Sequence, residues 1–421
     1  MGILLNIVGA VIALSVLIIS HEFGHFLAAK RSGIGVPEFS LGFGPRLFGW
    51  QSGETKYSVR LLLFGGYVKM AGEEAGTATG GEEEFLSKPP GVRARVIFSG
   101  PFFNLILAVV FYSCINLFFG MGTIDTTTVR SAPRATGLKN YDKIISVNGV
   151  PVFDWWEVER KLDGNGDNLL ILLRDGDTLT ISVPSIYTDS LIPLIPSLLG
   201  DVERDGPAYN AGLKRGDRVI QIDSTEIDDW EAMVKIVEKS TGDTLKITVL
   251  RGGDTLTTTA IPQERERVVG DKKKRVGMIM VTMHVKRKKL GLYSFYQGIK
   301  DTGLTIWLTG SFLKKLVMRE MSPKNLGGPL AIVQFAGQSL SWGLSSFLSF
   351  IAFLSCQLGI LNLIPFPPLD GGHLLIILVE KIIRRRPSER VSNIIQMIGF
   401  ALIMFLMLYV TMNDIARIFK R

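Results

Sequence analysis

The stretch IISHEFGHFLAAK, from Ile18 to Lys30, sets His21, Glu22 and His25 at the end of an apolar run that starts almost at the first residue. Ionisable side chains are costly in hydrocarbon, so those found there usually mark a site. On a helix, residues four apart share one face, about 6 Å apart along the axis. Two neutral imidazoles so spaced can chelate one zinc ion, and a carboxylate beside them can take a proton from an activated water. This HExxH pattern is a metalloprotease signature. The competing reading, a satisfied pair of core histidines, fits poorly with a lipid setting.

Catalytic zinc requires a third protein ligand and one open position. The segment NLIPFPPLDGGH offers Asp370, 345 residues after His25 and at the end of a later apolar run. Pro365, Pro367 and Pro368 forbid a continuous helix there, so the chain breaks at membrane depth. Unwound backbone is tolerated at that depth only when buried in protein or lining a wet cavity. A carboxylate placed there can meet a metal. His373 reads either as a partner that orients a ligand or as a loop histidine, and His284 as a solvated linker residue.

Four runs are long enough to cross a bilayer: Ile3–Ala29, Val96–Phe119, Leu344–Pro365 and Ile394–Met412. The first lacks a basic start and a small-residue cleavage site, and reads as a retained span. Mean hydropathy is +0.28 with 20% charged residues, which points to spans combined with soluble modules. Cys114 and Cys356 both fall inside apolar runs and indicate no disulfide framework. The net charge of +8 comes without a basic stripe interleaved with aromatics, so no nucleic-acid partner is indicated.

Charge placement sets orientation instead. Nine Lys and Arg residues lie between the first two spans, and Lys381, Arg384, Arg385, Arg386 and Arg390 between the last two. Both loops are expected in the cytoplasm and both chain ends outside, although the tail residues Arg417, Lys420 and Arg421 run against the rule. The block 121–285, with 25 acidic and 21 basic residues, is expected to be extracytoplasmic. The zinc site, about 27 Å along the first helix, falls nearer the cytoplasmic face.

That block repeats. GLKNYDKIISVNGVPVFDWWEV at Gly137 aligns with GLKRGDRVIQIDSTEIDDWEAM at Gly212, and RDGDTLTISVP at Arg174 with RGGDTLTTTAIP at Arg251. Two copies of one module follow, each with short alternating strands and a helix near Trp155–Leu162 or Trp230–Lys239. AGLKRGDRVIQID resembles the circularly permuted PDZ domains of bacterial proteases. That resemblance implies binding of an extended peptide or a C-terminus by strand addition, with SLLGDV as the carboxylate-receiving loop.

Thr55–Gly72, TKYSVRLLLFGGYVKMAG, alternates as a β-hairpin, with Gly65-Gly66 as its turn and the hairpin dipping into the membrane. The acidic stretch after it reads as a cytoplasmic loop. Phe295, Ile299, Ile306, Leu313 and Leu316 recur at near-helical spacing, giving an amphipathic helix on the membrane surface or packed over the spans. It leads into NLGGPLAIV at Asn325.

HExxH in the first span, GFGP at Gly42, the paired PDZ-like repeats and NLIPFPPLDGGH together resemble the site-2 protease family of intramembrane zinc metalloproteases. The resemblance implies His21, His25 and Asp370 as ligands to one Zn2+ per chain, Glu22 as catalytic acid/base, and Asn362 as a residue holding substrate. It also favours the hairpin residues Val59, Leu61, Gly65, Gly66 and Tyr67 as a strand that holds substrate extended. The implied substrates are single-pass membrane proteins, such as an anti-sigma-E factor already cut outside, and remnant signal peptides, in a bacterial inner membrane.

The expected fold is a mixed membrane protein with four transmembrane helices carrying a zinc site, a membrane-dipping β-hairpin and two extracytoplasmic PDZ-like α+β domains. Its parts are the first helix at 1–30, the hairpin region at 31–95, the second helix at 96–120 and PDZ-like domains at 121–194 and 195–285. An amphipathic helix and linker at 286–343 follow, then the third helix at 344–373, a basic loop at 374–393, the fourth helix at 394–413 and a tail at 414–421. A non-proteolytic PDZ scaffold or a metal transporter is the alternative.

Overall fold

The computed structural model describes residues 2–73, 79–269, 272–320, 327–385 and 388–419. Part of the acidic loop, Asn325, Arg386, Lys420 and Arg421 lie outside the described residues. The chain divides into two compact units, Met1–Gly120 with Lys289–Arg421, and Met121–Lys288.

The first unit begins with helix α1 (Gly2–Arg31), whose basic last turn, Lys30 and Arg31, suits the negative end of the helix dipole. Strands β1 (Glu38–Ser52) and β2 (Thr55–Lys69) follow, then α2 (Pro90–Cys114), which passes into a π-helical turn at Ile115–Phe119. The hairpin differs from its sequence reading in one respect. Its turn lies at Gly53 and Glu54, and Gly65 and Gly66 sit within β2. Both strands curl, so Glu38–Leu41 of β1 pairs with 66–69 of β2 on one side and with 56–59 on the other. Alternating pattern finds a strand but not its partner, because pairing is decided between distant residues.

The second unit realises the sequence repeat. Each copy is a four-stranded antiparallel sheet in the order second, first, third, fourth: Val150–Pro151, Lys143–Val147, Asp167–Arg174 and Asp177–Pro184, then Thr225–Glu226, Arg218–Ile222, Leu245–Arg251 and Asp254–Ala260. Helix α3 (Trp155–Lys161) is capped by Asp154, which accepts from the Glu157 amide. After the short α4 (Pro207–Asn210), α5 (Trp230–Lys239) is capped in the same way by Asp229. Each copy has its own apolar core, around Ile144, Leu170 and Leu172 in one and Val219, Ile222 and Ile247 in the other. SLLGDV is not a free loop: Leu199–Val202 is a strand paired with Val281–Met283. The unit extends to Lys288, past the expected boundary at 285, because Lys286–Lys288 pairs with Met121–Thr123.

The repeat extends to one buried ion pair per copy. Arg174 donates from Nε and Nη2 to Asp142, and Arg251 does the same to Asp217. Each arginine also reaches a glycine carbonyl, Gly137 or Gly212, and each carboxylate accepts an amide three residues back, from Lys139 or Lys214. Burial alone would raise these carboxyls; the guanidinium and the amide outweigh it and hold both below the ordinary carboxylate range.

The chain then re-enters the first unit as α6 (Tyr293–Val317), α7 (Pro329–Ser341), α8 (Leu344–Asn362), α9 (Asp370–Ile383) and α10 (Glu389–Phe419). Two expected boundaries are corrected here. The third span stops at Asn362, short of 373, and most of the expected basic loop is helical, because Asp370 opens a separate helix. Among the described residues four helices are long and apolar enough to cross a membrane: Ile3–Arg31, Pro90–Phe119, Leu344–Asn362 and Arg390–Ala416. The amphipathic α6 packs on α2, where a Cβ at Gly298 would meet Ser113, and Asp301 accepts from Asn116 and Gln297.

A carboxylate with a depressed folded pKa adds stability above its unfolded pKa and loses that stability as pH falls through the folded value. The Met121–Lys288 unit should therefore weaken below about pH 4, where unfolded aspartates begin to protonate. Asp217→Ala should cost about 1–3 kcal/mol at neutral pH and flatten part of that acid dependence, as followed by calorimetry of the whole chain from pH 7 to pH 3.

Candidate metal centre

The site is assembled from backbone contacts outward. Gly24 of α1 lies against Ser99 of α2 so closely that a Cβ would overlap the Ser99 carbonyl, and Ser99 Oγ donates to the Gly24 carbonyl at 2.8 Å. Small residues allow such approaches where lipid supplies no hydrophobic drive between helices. The next residue of α2, Gly100, faces the His25 ring, which occupies the space its side chain would fill. The contact sets both histidines: His21 and His25 are 9% and 7% exposed.

Asp370 arrives from the far end of the chain. After Asn362 the backbone makes tight turns, with Phe366 N–H donating to the Ile364 carbonyl at 2.7 Å and Leu369 N–H to the Phe366 carbonyl at 2.9 Å. Gly371 and Gly372 then press the first turn of α9 onto that loop, against the carbonyl of Ile364 and the nitrogen of Pro367. Larger side chains at either position would lift Asp370 away. The buried pair Arg93–Glu380, at 2.5 Å, ties α9 to the start of α2.

The donors converge. His21 Nε2 lies 3.2 Å from His25 Nε2 and 3.1 Å from Asp370 Oδ2, and His25 Nε2 lies 3.7 Å from Asp370 Oδ1. Four-coordinate zinc with bonds of about 2.0–2.1 Å sets neighbouring donors about 3.3 Å apart, so the spacing fits. Hydrogen bonding fits as well. His25 Nδ1 lies 2.9 Å from the Val96 carbonyl, which can only accept, so in the neutral ring Nε2 carries a lone pair. Asp370 Oδ2 is buried and accepts no hydrogen bond; the His21 contact has the distance but not the alignment of one. A lone pair facing an unpartnered buried carboxylate oxygen is what a divalent cation resolves.

Around this point lies a cavity of about 1550 Å3, which His21, Glu22, His25 and Asp370 line together with His373. Tyr67 and Val68 of β2 line it too. Gly66 sits against α1, where a Cβ would come within 3.0 Å of Ile18 and 3.5 Å of Glu22. The other predicted residues stand outside the lining: Asn362 closes α8, Gly65 lies under the Phe43 ring, and Leu61 is 54% exposed. Val59 has partners on both sides, Leu41 and Phe48, and leaves no edge free. The sequence reading passed over Ser99, Gly100 and Asn104. The available signal was an SGP…N cluster within an apolar run; the structure shows the Asn104 amide fully buried.

The model of peptidase family M50 matches residues 9–406. The chain belongs to that family, the site-2 proteases. The regulator of sigma-E protease RseP of Salmonella typhimurium is 32% identical over 99% of this chain and 100% of its own. The Escherichia coli protein of that name is 30% identical over 97% of this chain and 98% of its own. A Neisseria meningitidis protein whose name describes a zinc metalloprotease is 32% identical over 97% and 98%. Among solved structures, the PDZ domain of an SdrC-like protein from Listeria innocua matches at 20% identity over 22% of this chain and 98% of that one. Its TM-score of 0.18 is too low to identify the fold of either repeat. The M50 chain is thus a zinc metalloprotease of the site-2 type with membrane-spanning helices.

Because Gly100 yields its space to His25, Gly100→Ala should lower zinc content per chain and the thermal midpoint together. Gly91→Ala, at a position with no atom within 4 Å, should change neither. Metal analysis and thermal unfolding of the purified proteins in detergent read both.

Proposed function

We propose that this chain is an intramembrane endopeptidase that hydrolyses peptide bonds within or beside the transmembrane segment of single-pass membrane proteins, with one zinc ion held by His21, His25 and Asp370. The observation that carries it is the meeting of these three side chains, 3.1–3.7 Å apart, beside Glu22 in one cavity. Zinc held there would lower the pKa of water towards 7 and polarise the scissile carbonyl. Glu22 accepts the proton of the attacking water and returns it to the leaving amine. The two turns around Asp370 and the Gly24–Ser99 contact keep the donors in place, and the cavity admits water.

A helical substrate hides its amides in internal hydrogen bonds and must open before it can react. Residues 66–69 of β2 pair with β1 on one side only, and Tyr67 and Val68 face the cavity. That edge accepts an unwound segment by strand addition beside Glu22. Asn362, which closes α8 just before the loop leading to Asp370, would hold a substrate that reaches beyond the cavity lining on that side. The PDZ-like pair screens substrates by gripping a peptide or C-terminus, so that already shortened proteins enter.

The Salmonella and Escherichia relatives are named as regulators of sigma-E. The substrate classes that go with the proposed reaction are an anti-sigma factor already cut outside the membrane and remnant signal peptides. The basic loops and the near-balanced charge of 121–285 support an inner-membrane orientation with repeats and termini in the periplasm. A transporter would need further ligand clusters along the spans; among the described residues there is one cluster, His21, His25 and Asp370.

Glu22→Gln should keep zinc and reduce cleavage of a model single-pass helix by about 10²–10⁴-fold, whereas His21→Ala should lose both. Metal analysis paired with a cleavage assay in detergent distinguishes them. Undiminished cleavage by Glu22→Gln ends the enzymatic reading of this site.

A further inference from the structure

Asn104 sits in the middle of α2, fully buried, in a span that is otherwise almost wholly apolar. A buried amide in lipid needs a reason. Its side-chain Nδ2 position lies 3.2 Å from His21 Nδ1, the ring nitrogen on the far side from Asp370. The backbone around it is pinned from two directions: Ser355 of α8 donates to the Asn104 carbonyl at 2.7 Å, and Ser20 of α1 to the Phe103 carbonyl at 3.2 Å.

The proton on His21 decides whether its Nε2 can bind metal. For His25 the matter is closed, since the Val96 carbonyl takes the Nδ1 proton. His21 has no carbonyl in that place; it has the Asn104 amide. An NH2 group facing Nδ1 would donate to it and drive the ring proton to Nε2, straight at His25 Nε2 and Asp370 Oδ2. An amide oxygen facing Nδ1 does the reverse. The two ends of a carboxamide have one shape, so the side chain fits either way round, and Oδ1 has no partner where it stands. Water cannot substitute at a residue with no exposed surface.

We propose that Asn104 is the positioning residue for His21. Its Oδ1 accepts the Nδ1–H, fixes the tautomer and aims the Nε2 lone pair at the metal position. Ligating imidazoles generally need such an acceptor on their other nitrogen, and its loss typically costs about 10–100-fold in metal affinity. The inference rests on His21 being a ligand, as proposed above.

The test is zinc affinity of the full-length protein in detergent, by competition with a chromogenic chelator, together with thermal unfolding of the metal-free form. Asn104→Leu, nearly the same size, should bind zinc about 10–100-fold more weakly. Asn104→Asp, which keeps an oxygen acceptor, should stay within about threefold of the parent by the same reasoning. A purely structural role would instead lower the metal-free midpoint in both variants and penalise Asp at least as much as Leu. Unchanged affinity in Asn104→Leu, or equal losses in both, overturns the proposal. If Asn104→Leu does not fold, retained affinity in Asn104→Asp supports the acceptor role and lost affinity overturns it. His21→Ala is measured alongside: if the parent binds zinc and His21→Ala binds as well, the ligand reading itself has failed, whereas normal loss in His21→Ala with no effect of Asn104→Leu fails this inference alone.

Discussion

Three lone-pair donors aimed at one point repel one another, and the burial of both histidines leaves little water to spread the field between them. Most of the first unit can be understood as the restraint that holds His21, His25 and Asp370 against that repulsion. The backbones of α1 and α2 touch at Gly24 and Ser99, with serine hydroxyls closing on carbonyls across the contact. Asp370 is carried on a glycine-rich helix start pressed onto a proline-broken loop. None of these devices is apolar packing, because lipid already solvates apolar side chains and provides little drive to associate helices.

A reaction that consumes water must also open the site. The cavity does so beside Glu22, lined also by Asp370 and by Tyr67 and Val68 from the 66–69 edge of the curled hairpin, which is paired on one side only. Keeping Gly66 against α1 brings that edge close to Glu22; a side chain there would meet Ile18 and the Ser40 carbonyl. The second unit obeys different physics. It is held by two conventional cores and by the duplicated Arg174–Asp142 and Arg251–Asp217 pairs, whose carboxylates are 1% exposed. Precise repetition of caps, pairs and strand order identifies a duplicated module independently of any likeness to other proteins.

What could be seen in the amino-acid order was local chemistry with a fixed period. His21 and His25 are four apart and so share a helix face; the prolines before Asp370 had to break a span; Asp142 and Asp217 recur 75 residues apart because one module was copied. These follow from covalent spacing and residue type alone. The turn of the hairpin, the end of the third span at Asn362, the doubly paired strand at Val59 and the service of Asn104 to His21 were decided by tertiary structure. Each depends on which distant backbone comes close enough to hydrogen-bond or to exclude a side chain. Sequence names the groups able to bind a metal; only the packing of α1, α2 and α9 brings their lone pairs within 4 Å of one another and settles which neighbour each proton faces.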